Sequence, residues 1–75
     1  MTYGRRYSTG TVFFEFIRRG NVVKVSAIDA RTGTEVSIVG DPKAGQEAMK
    51  RVAARKLEYV MAKRAAGKNP PDGHA

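Results

Sequence analysis

Along "TVFFEFIRR" the side chains alternate, so that Val12, Phe14 and Phe16 fall on one side of an extended chain and Phe13, Glu15 and Ile17 on the other. The run ends at Gly20-Asn21, a dipeptide suited to a two-residue hairpin turn. A hairpin closed there sets Phe16 opposite Val25 and Phe14 opposite Ala27 on one face, with Val23 beside them. Ile17 with Lys24, Glu15 with Ser26 and Phe13 with Ile28 fall on the other face. The second run, "VVKVSAID", leads into "ARTG", where Gly33 can take the positive φ that hairpin loops need. Closing that loop pairs Ala27 with Val36 and Val25 with Ile38, so "TEVSIV" adds two more apolar side chains to the first face. A slip of one residue in either hairpin would put charged groups among these apolar ones, which specifies the register.

The period changes from two to that of a helix after Gly40. Asp41 suits an N-cap and Pro42 the first helical position, which predicts a helix starting near residue 42 despite Gly45. At about 100° per residue, Met49, Val52, Ala53, Leu57 and Val60 gather on one side, flanked by Ala48 and Tyr59. One apolar helix face and one apolar sheet face predict an α+β domain: a three-stranded antiparallel meander with one long C-terminal helix packed on it, β-β-β-α, over residues 11–66. "MTYGRRYSTG" lacks periodicity and is expected to be a disordered basic arm over residues 1–10. Residues 67–75, "GKNPPDGHA", are expected to be a disordered tail, with Gly67 placed to cap the helix.

Length adds that this is one small domain: 75 residues sustain a single core of only a few kcal/mol net stability. Cysteine is absent and the one histidine, His74, is next to last, so neither a disulfide nor a Cys/His zinc site is available. The first ten residues have charge but no apolar core of a secretory signal, and no run approaches a bilayer-spanning length. A cytoplasmic location is the expectation. With its carboxylates dispersed and no nucleophile–base spacing, the chain is expected not to be an enzyme and to need no cofactor.

The net charge of +7 changes the picture most, because it favours polyanionic partners. Seven Lys or Arg lie between Lys43 and Arg64 against Glu47 and Glu58. In one reading Lys43, Lys50, Arg51 and Arg55 neutralise phosphates of RNA or DNA, supplemented by Arg5 and Arg6 of "YGRRY", whose tyrosines could stack on bases. In the other, that face only solubilises the helix, with Glu47–Arg51 and Arg55–Glu58 as local pairs. Lys56 and Lys63 point near the apolar side and are expected to lie along the sheet edge. "GDPKAG" has glycines and a lysine but lacks the spacing of a P-loop, and Asp41 would repel an anion there. The outer sheet face offers a third reading. Phe13, Ile17 and Ile28 lie on adjacent strands with no helix to cover them, a patch suited to self-association or a protein partner, an acidic one if the helix takes part.

Two resemblances follow from these segments. Over about residues 12 to 66, "VKVSAID", "TGTEVSIVG" and "RKLEYV" resemble a family of small, uncharacterised alphaproteobacterial proteins, which implies a bacterial cytoplasmic protein and no particular activity. More loosely, β-β-β-α with the alanine-rich "AMKRVAARKL" is similar to the C-terminal part of double-stranded-RNA-binding domains. That likeness implies that Lys43, and Lys50 on the same backbone, bridge phosphates. The family's lysine cluster is reduced here to one lysine in the first two turns, and its first helix has no counterpart.

Overall fold

The computed structural model describes residues 3–67, with residues 3–7, 9, 66 and 67 described through their backbone. Four strands, β1 (Tyr3–Thr9), β2 (Val12–Arg19), β3 (Val22–Asp29) and β4 (Glu35–Gly40), precede one long helix, α1 (Gln46–Gly67). The strands form one antiparallel sheet in sequence order. The meander β2–β3–β4 and the helix after it are as the hydrophobic pattern predicts. Their registers are too: Phe16 faces Val25, Phe14 faces Ala27, and Val36 and Ile38 face Ala27 and Val25.

The expected N-terminal arm is corrected. Residues 3–9 pair with β2 along their whole length, from Tyr3 opposite Arg18 to Thr9 opposite Val12. Gly10 makes this possible by taking φ 60° at the turn, a conformation that costs other residues about 1–2 kcal/mol. Apolar periodicity is absent from this strand because an edge strand gains its stability largely from the ladder and needs few core side chains. The tail expected over residues 67–75 lies outside the described residues, apart from Gly67 at the end of α1.

The helix start is also corrected. Asp41 does act as a cap, its Oδ1 accepting the Lys43 N–H at 2.9 Å, but the turn it caps is a separate 3-10 turn, Pro42–Ala44. Gly45 at φ 91°, ψ 151° interrupts the chain, and its carbonyl then accepts the Met49 N–H at 3.2 Å to begin α1. Lys43 therefore stands before the long helix, not in it.

The core lies between α1 and the face formed by Phe14, Phe16, Val23, Val25, Ala27 and Val36. From the helix come Met49, Ala53 and Leu57, a spine at intervals of four, with Ala54, Val60 and Met61 at its margin. Val52, expected on this face, is 55% exposed. The helix is rotated so that Ala54 and Met61 turn inward in its place, and small Ala27 and Ala53, both fully buried, let helix and sheet approach closely. At the helix-start end, a Cβ on Gly40 would come within 2.9 Å of Met49 Sδ, so the crossing needs glycine there. Lys56 lies along the sheet edge as expected, its Nζ donating to the Ser37 carbonyl on β4 at 3.0 Å. It covers one of the acceptors that an edge strand leaves open.

Candidate nucleic-acid interface

The rotation of α1 decides how its cations are distributed. Lys50 turns down toward the sheet and becomes half-buried, with its Nζ 5.9 Å from the centroid of the Phe14 ring, within cation–π range. Glu47 Oε2 lies 3.4 Å from the same ammonium. The helix pair expected between Glu47 and Arg51 is thus replaced by Glu47 with Lys50, one turn apart on the sheet-facing flank. Arg51 is exposed beside them, and Phe14, Glu47, Lys50, Arg51 and Ala54 line a shallow cleft of about 210 Å³. Arg55, one turn on, is exposed and extends the basic surface along the helix. Lys50 and Arg55 are about 7.5 Å apart along the axis at 1.5 Å per residue and about 140° apart around it, so Arg51 and Arg55 share one face and Lys50 lies at its flank.

Lys43 does not join that group. It borders a second hollow, about 360 Å³, with Arg18, Asn21, Asp41 and Pro42. Arg18 is held there by donating from Nε to the Gly20 carbonyl at 2.8 Å. Its alternation with Phe14 and Phe16 puts it on the helix-covered face, a signal present in the sequence that a focus on the helix passes over. Asp41 shares the hollow and its carboxylate already takes the Lys43 N–H, so the backbone donors of this turn are not open to an anion. Arg5 and Arg6 pair with Phe16 and Glu15 in the β1–β2 ladder, register positions of opposite sheet faces.

The patch residues fall where the register puts them. Phe13 is 39% exposed on the face away from the helix, directly paired with Ile28, while Ile17 and Ile28 are half-buried. Glu15, Lys24, Glu35 and Ser37 share that face.

At the far end of the domain, Asp29 is only 5% exposed and supports the β3–β4 loop. The Thr32 hydroxyl and N–H donate to its Oδ2 at 2.9 and 3.0 Å, and the Thr11 hydroxyl approaches Oδ1 at 3.5 Å. The Thr32 hydroxyl bond holds the carboxyl below its ordinary value, helped by the Thr32 N–H and the Arg31 charge, against the upward pull of burial. Arg64 ties the end of α1 to the same loop through Thr34 Oγ1 at 2.9 Å. All of these groups are engaged with one another in holding the loop and the helix end. Among the described residues, no group of three or more His, Cys, Asp or Glu is placed to hold a metal ion, and no helix is long and apolar enough to cross a membrane.

A four-stranded antiparallel sheet backed on one face by a basic helix makes this a small α+β module with two open surfaces, the helix exterior and the outer sheet face. The chain belongs to the family described as Domain of unknown function (DUF6898), which matches residues 9–64. That span runs from the last residue of β1 to the last turns of α1 and takes in β2, β3 and β4. No curated protein and no solved structure matches the chain.

Proposed function

We propose that this domain is a non-catalytic module that binds nucleic acid through the phosphate backbone on the exterior of α1. Lys50, Arg51 and Arg55 are the contacts, Lys43 and Arg18 add charge from a separate hollow, and base readout is minor. The observation that carries this reading is the pair of exposed guanidinium groups, Arg51 and Arg55, one turn apart on α1, with Lys50 at the Phe14 cleft beside Arg51 and the carboxylates Glu47 and Glu58 on the same length of helix. The rotation of α1 favours it, because the apolar spine faces the sheet while Arg51 and Arg55 stand in solvent, available to a polyanion. The order of β2, β3, β4 and α1 resembles the end of double-stranded-RNA-binding domains, from which the additional strand β1 departs.

Fluorescence anisotropy with a short labelled duplex, measured across salt concentrations, tests the proposal. Affinity is expected to fall steeply with salt. Replacing Lys50, Arg51 and Arg55 together by Gln is expected to shallow the log–log salt slope by about 2.7, near 0.9 for each phosphate left without its cation. No binding at low salt, or an unchanged slope in the triple variant, would sink the reading. The same titration with single-stranded and duplex RNA and DNA ranks the ligands.

A further inference from the structure

The hollow that holds Arg18 and Lys43 collects charged side chains that the fold leaves without partners. Across the helix-side face Arg18 stands opposite Val23 and Val23 opposite Gly40, so the end of β2 and the start of the 3-10 turn lie side by side. Gly45, at φ 91° and ψ 151° in a region open almost only to glycine, separates that turn from α1 and keeps Lys43 at the hollow. The Arg18 guanidinium is anchored through Nε, which donates to the Gly20 carbonyl at 2.8 Å, and its two terminal nitrogens are left to donate elsewhere. Among the described residues no carboxylate lies within ion-pair distance of Arg18 or Lys43. Arg51 and Arg55 stand on the convex exterior of a helix, whereas Arg18 and Lys43 share a concavity of about 360 Å³ with Asn21, Asp41 and Pro42.

We propose that this hollow is a binding site for a single phosphomonoester group, carried by a small phosphorylated compound or by the end of a nucleic-acid strand. An arginine anchored by Nε presents its terminal nitrogens to two oxygens of a tetrahedral oxyanion, and the lysine ammonium, a mobile point charge, meets a third. The Asn21 amide adds a neutral donor. A phosphomonoester carries a charge of about −1.5 to −2 near neutral pH, which matches two cations better than the single charge of a carboxylate or a backbone diester. Side chains alone meet the ligand, because Asp41 already takes the Lys43 N–H at 2.9 Å. Asp41 also narrows the choice. Its carboxylate borders the hollow and opposes any second anionic group beside the bound one, so a lone terminal phosphate is favoured over a diphosphate or an internal position in a chain of phosphates. This site is separate from the α1 surface and does not depend on that surface binding nucleic acid.

Heteronuclear NMR of the full chain, titrated with inorganic phosphate at constant ionic strength, tests this. The Arg18 Nε–H, the Asn21 side-chain amide and the Lys43 N–H are expected to shift together and saturate in the millimolar range, ahead of any response at Arg51 and Arg55. Lys43→Gln, at an exposed side chain with no protein partner to lose, is expected to weaken binding about tenfold, the loss of one charge-assisted hydrogen bond. Arg18→Lys, which keeps the charge and loses the fork, is expected to weaken it by a similar factor. Asp41→Asn preserves the cap and removes the opposing charge, so inorganic phosphate should bind several-fold tighter. A nucleoside 5′-monophosphate should bind better than its diphosphate. A 5′-phosphorylated oligonucleotide, compared with its 5′-hydroxyl form, distinguishes the two sources: a response to the added phosphate assigns the strand end, and a response to the monophosphate alone assigns a small compound. Repeating the phosphate titration in the glutamine variant of Lys50, Arg51 and Arg55 separates this site from α1, because binding should be retained there. Loss of binding in that variant overturns the proposal, as do shifts of equal size at Arg51 and Arg55, an affinity that Lys43→Gln leaves unchanged, or a diphosphate that binds tighter than the monophosphate.

Discussion

Truncating Leu57 and Val52 separately to alanine asks which way the helix faces. Both are apolar and both fall on one side of an ideal helical wheel, but Leu57 is 2% exposed in the core and Val52 is 55% exposed. Leu57→Ala removes three carbons from a packed site and leaves a cavity, for a cost of about 3–4 kcal/mol. Val52→Ala removes two carbons worth about 1.6 kcal/mol if fully buried, of which less than half applies here. Alanine also recovers about 0.6 kcal/mol of helix propensity over valine. The net change is expected within about 0.5 kcal/mol of zero. A domain of this length has about 4–11 kcal/mol of stability, so Leu57→Ala should lower the melting temperature by roughly 15–25 °C while Val52→Ala barely moves it. Urea unfolding followed by far-UV circular dichroism reads both, with Leu57→Met as the volume-conserving control at under about 1.5 kcal/mol. Equal losses for the two truncations, or a larger one for Val52→Ala, would refute the rotation. The site would fall with it, because the same rotation brings Lys50 over Phe14 and leaves Arg51 and Arg55 in solvent.

Two further outcomes follow from the turns. Asp29 has a folded-state pKa below the ordinary 3.8, so its contribution to stability is complete above that value and is lost as pH falls through it toward the depressed one. Asp29→Asn should flatten the acid limb of a plot of urea midpoint against pH, and parallel limbs for the two proteins would show that the Thr32 bonds do not favour the carboxylate. Gly20 takes φ 59° with open space where a Cβ would stand, so Gly20→Ala should cost about 1 kcal/mol in urea unfolding through backbone strain alone. No loss would mean that the β2–β3 turn readily adopts another geometry.

Much of this architecture was legible because its signals are local. Gly20-Asn21 and Gly33 mark the two hairpins, and alternation then dictates which of Phe13 and Phe14 is buried. The four candidate cations, Lys43, Lys50, Arg51 and Arg55, were legible but their sorting was not, and Lys43 proves to lie before the helix. Alanines are ambiguous on a helical wheel, so nothing in "AMKRVAARKLEYVM" distinguishes a face centred on Ala53 with Val52 from one that turns Ala54 and Met61 inward. Arg18 was overlooked because its relation to Lys43 exists only once β2 and the turn before α1 are side by side. Strand β1 was missed because a polar edge strand has no core stripe, and its one signature is a ladder formed with residues after Gly10.

The sequence by itself determined the meander, its register and the presence of a long basic helix, since each rests on side-chain alternation, turn glycines and helical period within short stretches of chain. The tertiary structure decided the fourth strand, the break at Gly45 and the angle of α1 about its own axis. These depend on close contacts between distant segments: the β1–β2 ladder, Met49 against Gly40, and Ala53 against the sheet. That last choice sets Lys50 against Phe14 and Glu47 at the flank of the basic surface and leaves Arg51 and Arg55 in solvent at its centre.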